Sequence, residues 1–314
     1  MGGGYLEPGD ERVQAAFEAV VAWLDSMSCA DCDARGTRQV VRWWLQEHGH
    51  ELVSVVLEGP SEVQDKAAQV AAPAPDAQYL GVEGDKRLVG GMDGCRGGWV
   101  LVTTPVYGMG DTSIEVVPSI DAVVERLEKG ELTAVAIDIP ISLPASGPRR
   151  CDTDARKMIG PRRNSVFPAP FRGLLGSATY EEAASRSRSI SGKSLSRQAF
   201  AVLPKIEEVD ALMTPERQRV LIEVHPEVSF TALRGRPMEH HKSTSEGRGE
   251  RLAALRTVFH DVDDVTSVRL PRTNPDDILD ALVAAWSARR WMTGTYKRLG
   301  GDLDERGLRM EMIA

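Results

Sequence analysis

Leu88-Val89-Gly90-Gly91-Met92-Asp93-Gly94-Cys95-Arg96-Gly97-Gly98-Trp99-Val100-Leu101-Val102-Thr103-Thr104 reads as two short strands joined by a glycine-rich turn, with Asp93 where the first run meets the turn. Leu88–Met92 and Trp99–Thr104 carry the apolar, β-branched character of strands. No helix follows Gly97-Gly98, so the glycines do not form a dinucleotide fingerprint, which needs strand, turn and helix in that order. A third strand is expected at Ser113–Val117, and three short strands with tight turns form an antiparallel meander.

Beyond the meander the pattern changes. Ile120–Lys129 has helical spacing, with Ser119 as the expected cap and Gly130 as the stop. Leu132–Ile137 is almost wholly apolar, as a central strand buried on both faces must be, and Asp138-Ile139-Pro140 ends it. Residues 150–213 read as interrupted helix. Val220–Val224 is a second buried strand, with a helix from Pro226 to Leu233. Further helices are expected at Gly249–Phe259 and Asp276–Trp291, the latter with Asn274 as cap and Pro275 in its first turn. The order β-β-β-α-β-α-β-α specifies an α/β fold: a mixed sheet of three antiparallel strands followed by parallel ones, flanked by helices.

Residues 1–85 are different in kind. Helices are expected at Glu11–Met27 and Thr37–His48 and a strand at Leu52–Leu57. Residues 59–84 are rich in Ala, Pro, Gln and Asp and read as a linker, so the expected division is a small, mainly helical region 1–85 and a second domain 86–314. The first region holds 15 acids and 5 bases, a net of −10, against −8 for the whole chain. Residues 149–205 hold 12 bases and 4 acids, a net of +8, the footprint of a phosphate-facing surface or of a solvated loop. Four cysteines in 314 residues exclude a disulfide scaffold. Cys29 and Cys32, with His48 and His50, have zinc-ligand chemistry, although an incidental thiol pair is the simpler reading. The start lacks a basic segment followed by an apolar one, no stretch reaches membrane-spanning length, and a cytoplasmic location is expected.

The chemistry lies in the acids. Asp93, Asp138, Glu223, Asp277 and Asp280 sit in or against apolar runs, where a lone carboxylate is costly to bury. Carboxylates forced together share protons or bind a cation, and hard ions such as Mg²⁺ or Mn²⁺ take all-oxygen ligand sets. Asp277 and Asp280 are three apart and share a helix face; a first-turn acid is also a common helix stabiliser, which suits Asp276 and Asp277 better than Asp280. His225 is a candidate general acid/base. His240, His241 and Lys242 fall in a polar loop and read as solvent-facing. Ser191-Gly192-Lys193-Ser194 ends like a phosphate loop, but position 187 is Ser where that motif needs Gly, and no strand precedes it.

Gly91–Trp99, Ala136–Pro140, Arg150–Arg156, Ser165–Phe167, Glu223–Glu227 and Asp277–Leu282 together resemble domain-of-unknown-function family 429, described as predicted RNase H-like nucleases, over residues 88–314. The resemblance implies a ribonuclease H-like fold and a metal-dependent nuclease. By analogy with RuvC-type resolvases, Asp93, Asp138, Asp277 and Asp280 would hold two Mg²⁺ or Mn²⁺ ions. Glu223 and His225 would assist, and Arg96, Arg150, Arg156, Arg162 and Arg163 would face a DNA or RNA backbone. Residues 1–85 fall outside the resemblance and are a candidate docking piece for a protein partner. Two other readings stand beside the nuclease: a non-catalytic module binding nucleic acid or protein, and a phosphotransferase of the actin and sugar-kinase type. The latter normally needs two such cores where this chain supplies one.

Overall fold

The computed structural model describes residues 87–107 and 111–314. The expected helices, strand and linker before residue 85, and the Cys29, Cys32, His48 and His50 group, lie outside the described residues.

The sheet is assembled from β1 (Leu88–Cys95), β2 (Gly98–Pro105), β3 (Ser113–Val117), then, after helix α1 (Asp121–Glu128), from β4 (Ala134–Ile137). Helices α2 (Arg150–Ile159), α3 (Tyr180–Ser191) and α4 (Arg197–Leu212) follow before the short β5 (Leu221–Glu223). The chain continues through α5 (Pro226–Arg234), α6 (Ser245–Leu255), α7 (Val262–Ser267) and α8 (Pro275–Thr293), and closes with a hairpin, β6 (Arg298–Leu303) and β7 (Arg309–Ile313). Strand order in the five-stranded sheet is β3-β2-β1-β4-β5. The first three strands are antiparallel; β4 and β5 run parallel to β1. This is the mixed, ribonuclease H-like arrangement expected from the sequence.

Side chains alternate between sheet faces along each strand, and this parity organises the molecule. Met92, Leu101, Val135, Ile137 and Leu221 share one apolar cluster with Val123 and Val124 of α1 and Ile206 and Val209 of α4. Val89, Ala134, Ala136, Ile222 and Val224 point the other way and pack with Ala284 and Ala288 of α8. α8 lies almost on the backbone of β1. A Cβ added at Gly91 would stand 2.6 Å from the Ala285 Cα and inside contact distance of the Ala281 carbonyl oxygen. Glycine is required there by proximity.

Several details differ from the expectation. Ile120, not Ser119, is the N-cap of α1, with no side-chain bond. α6 starts four residues early, at Ser245, because Thr244 accepts the Gly247 N–H and caps it. The β6–β7 hairpin and α7 were not anticipated.

Candidate active site

The parallel pairing of β1 with β4 ends at Met92 opposite Ile137, so Asp93 and Asp138 occupy the next position on adjacent strands. The Asp138 N–H continues the ladder to the Met92 carbonyl at 3.0 Å. Asp93 shares the parity of Gly91, and Asp138 that of Ala136, so both lie on the face that α8 covers. The Gly91 contact holds α8 close enough that Asp280, in its second turn, is buried on the same group, 2 % exposed. Asp93 Oδ1 accepts the Gly94 N–H at 2.7 Å.

Burial raises the pKa of each of these acids, and neighbouring acids add to the rise at Asp93 and Asp280. Burial, then Asp138 and Asp280, push the Asp93 carboxyl well above the usual carboxylate range, with a smaller push from Asp277 and an opposing pull from Lys242. Burial lifts Asp138 to about 6 against the pull of Lys242. Asp280 is also held at about 6, by burial and by Asp138, although Lys242 and Arg251 pull it down. Like charges gathered in a poorly solvated pocket disfavour ionisation in this way.

Lys242 is solvent-facing as expected, 45% exposed, but its contact with the acid group had no sequence signal. Its Nζ donates to Asp280 Oδ2 at 2.7 Å. Burial works against its charge, but Asp280, Asp138 and Asp93 outweigh that and hold the ammonium above lysine's ordinary value. The partners are 38 positions apart, so no local pattern links them.

The other expected site residues divide. Asp277 is turned to the start of α8, where its Oδ2 accepts the Asn274 backbone N–H at 2.7 Å in a capping box. Glu223 lies on the opposite sheet face: it pairs with Ile137, not with Ala136 or Asp138. There Arg149 binds it through Nη2 to Oε1 at 2.6 Å and Nη1 to Oε2 at 2.8 Å, and the Ile141 N–H donates to Oε2 at 2.9 Å. The same guanidinium binds Asp152, also at 2.6 Å. Burial opposes the Arg149 charge, but Glu223 and Asp152 prevail and raise its pKa. This buried triad braces the back of the site and engages both Glu223 oxygens.

His225, the N-cap of α5, sets its Nε2 3.2 Å from the Ser165 carbonyl, and its buried Nδ1 has no hydrogen-bond partner. Burial lowers its pKa, opposed by the Ser165 carbonyl and by the charge of Asp280. It therefore borders the acid group as a neutral ring. Arg96 is exposed in the two-residue turn between β1 and β2. Arg150 pairs with Asp154 at 3.5 Å, Arg156 donates to the Val166 carbonyl at 2.9 Å, and Arg162 reaches Glu227 at 3.5 Å. Arg163 is exposed in the 3₁₀ segment Gly160–Ser165. The basic stretch is thus partly spent inside the protein: Arg172 binds Asp210 and Asp304, and Arg149 is buried.

The donor chemistry suits a hard divalent cation: carboxylate oxygens whose pKa values are raised by burial and, at Asp93 and Asp280, by neighbouring acids. The spacing is open. Among the described residues, the groups of three potential ligands whose atoms all lie within 4.8 Å of one another are Asp111–His260–Asp261 and Cys151–Asp152–Glu223, neither drawn from the α8 face. The first is largely exposed, and Asp261 already binds Thr112; the second is held by Arg149.

The α/β fold with its mixed sheet of order β3-β2-β1-β4-β5 agrees with the architecture that the family resemblance implies. The chain belongs to the DUF429 family, whose model, described as "Protein of unknown function (DUF429)", matches residues 91–305. Among solved structures, the RuvC structure from Thermus thermophilus aligns at 14% identity over 66% of this chain and 97% of that one, with a TM-score of 0.25. No curated protein matches the chain. No described helix is long and apolar enough to cross a membrane.

Proposed function

We propose that the protein is a metal-dependent nuclease that hydrolyses phosphodiester bonds of DNA or RNA. The observation that carries this reading is the placement of Asp93 and Asp138 at adjacent strand ends on the sheet face that α8 covers with Asp280, where Asp138 and Asp280 raise the Asp93 pKa and Asp138 raises that of Asp280. A structural role explains such a group poorly, since Asp93 and Asp138 are half-buried side by side, where carboxylates without a cation cost stability.

Mg²⁺ or Mn²⁺ held by carboxylates of this group would polarise the phosphate and acidify an attacking water, with Asp93 and Asp138 as the core of the ligand set. Asp93 and Asp138 are the ligands fixed most rigidly, because each extends a hydrogen-bonded strand end. Asp280 is oriented by Lys242. His225, whose buried Nδ1 has no hydrogen-bond partner, would accept or relay a proton through that atom. Arg96, Arg150 and Arg163 are the expected arginines left exposed, and they would bind phosphates without reading bases.

The test is incubation of the purified full chain with single- and double-stranded DNA and RNA in Mg²⁺, in Mn²⁺ and in EDTA. The reading requires cleavage of at least one of these that depends on the ion.

A further inference from the structure

The ligands available for coordination on the α8 face can be counted. Asp277 is engaged in capping α8, and Glu223 is on the other face, bound by Arg149. Asp280 is bound by Lys242. Asp93 and Asp138 remain, and they are neighbours.

The hold on Asp280 is built into the fold. Segment 239–244 is strapped to α6: the Glu250 carboxylate accepts the Glu239 N–H at 2.9 Å and the His240 N–H at 3.0 Å. The Arg251 guanidinium, 1% exposed, donates to the Gly247 carbonyl at 2.9 Å and to the His240 carbonyl at 3.4 Å. α6 meets the strap at Gly247, where a Cβ would stand 2.6 Å from the His241 carbonyl carbon. Lys242 leaves this strap with its side chain 45% exposed and its ammonium on a carboxylate that is 2% exposed. A mobile surface lysine needs none of this.

A pair of ions about 3.5–4 Å apart requires carboxylates on both flanks as well as a bridge. Here the outer flank is occupied by a fixed cation. We propose that the centre takes a single divalent ion on Asp93 and Asp138, and that Lys242, delivered by the strap onto Asp280, supplies the second positive charge to a bound phosphodiester. This rests on the metal-nuclease reading and departs from the two-ion site that the family resemblance implies.

The experiment is titration of Mn²⁺ into the full chain, counting bound ions by electron paramagnetic resonance, with Asp93→Asn defining the ions that belong to the site. Wild type should bind one Asp93-dependent Mn²⁺, displaced by Mg²⁺. Lys242→Met should admit a second, and Lys242→Met combined with Asp280→Asn should return to one. Two Asp93-dependent ions in wild type overturn the proposal, and that count needs no variant of the strap to fold. A count that stays at one in folded Lys242→Met overturns it as well. No Asp93-dependent ion in wild type removes the metal-nuclease reading itself.

Discussion

Gly91 of β1 lies directly beneath Ala285 of α8, so close that no side chain fits between strand and helix. Asp93, two residues along, therefore faces the same helix that carries Asp280. The contact sets the distance between the strand acids and the helix acid.

Gly91→Ala should test that coupling. The methyl group must displace backbone on α8, and overpacking a close contact costs about 1–3 kcal/mol. Chemical denaturation should show a loss of at least this size. Because the displaced strand carries Asp93 two residues on, the shift moves it relative to Asp138, and Mn²⁺ affinity should fall in the same variant.

Arg149→Met should destabilise the protein through the other sheet face. It leaves Glu223 and Asp152 buried without their cation, and breaking a buried ion pair typically costs about 3–5 kcal/mol. Glu223→Gln should likewise lower stability more than it lowers metal affinity. A Glu223→Gln variant that stays fully stable yet loses the ion would show that Glu223 is a ligand.

The site acids give stability a definite dependence on pH. Asp138 and Asp280 are raised to about 6 in the folded protein from the ordinary aspartate value of 3.8. A carboxylate whose pKa is raised by folding favours the folded state while protonated. Its contribution is complete below the unfolded value and is lost as pH rises through about 6. Metal-free protein should therefore lose stability between about pH 4 and pH 7 from these groups, and Asp93→Asn should reduce that loss. Mg²⁺ or Mn²⁺ should restore stability mainly above about pH 6, because binding requires the deprotonated acids. Thermal melts at two pH values, with and without the ion, measure this. Equal stabilisation at about pH 4.5 and at neutrality would place the ion elsewhere.

Arg163→Ala should leave the melting temperature unchanged, since the side chain is exposed. It should weaken nucleic-acid binding evenly across sequences and reduce the salt slope by roughly 1. Fluorescence anisotropy over a range of salt concentrations reads both.

The strands were legible because the buried runs Leu132–Ile137 and Val220–Val224 have no other plausible use, and the late helix because Asn274, Pro275 and its apolar length mark it. The parity of β5 was also legible in principle. If Ile222 and Val224 face α8, Glu223 must face away, and a buried acid there needs a cation, which Arg149 supplies. Lys242 left no such signal. It lies in a polar stretch, and only the tertiary strap carries it to Asp280. The terminal hairpin was missed because β6 contains Gly300-Gly301 and is half exposed, with weak alternation. Asp277 shows how one residue type serves two purposes: the capping-box spacing from Asn274 was visible and accounts for its position.

Cleavage by Asp93→Asn beside wild type tests the central claim most directly. The variant removes one carboxylate charge and keeps the side-chain shape, so the fold should survive. With Mg²⁺ or Mn²⁺ and a nucleic acid that wild type cleaves, activity should fall by about a hundredfold or more, corresponding to the several kcal/mol that a bound ion supplies. Folded Asp93→Asn that cleaves at the wild-type rate would contradict the account.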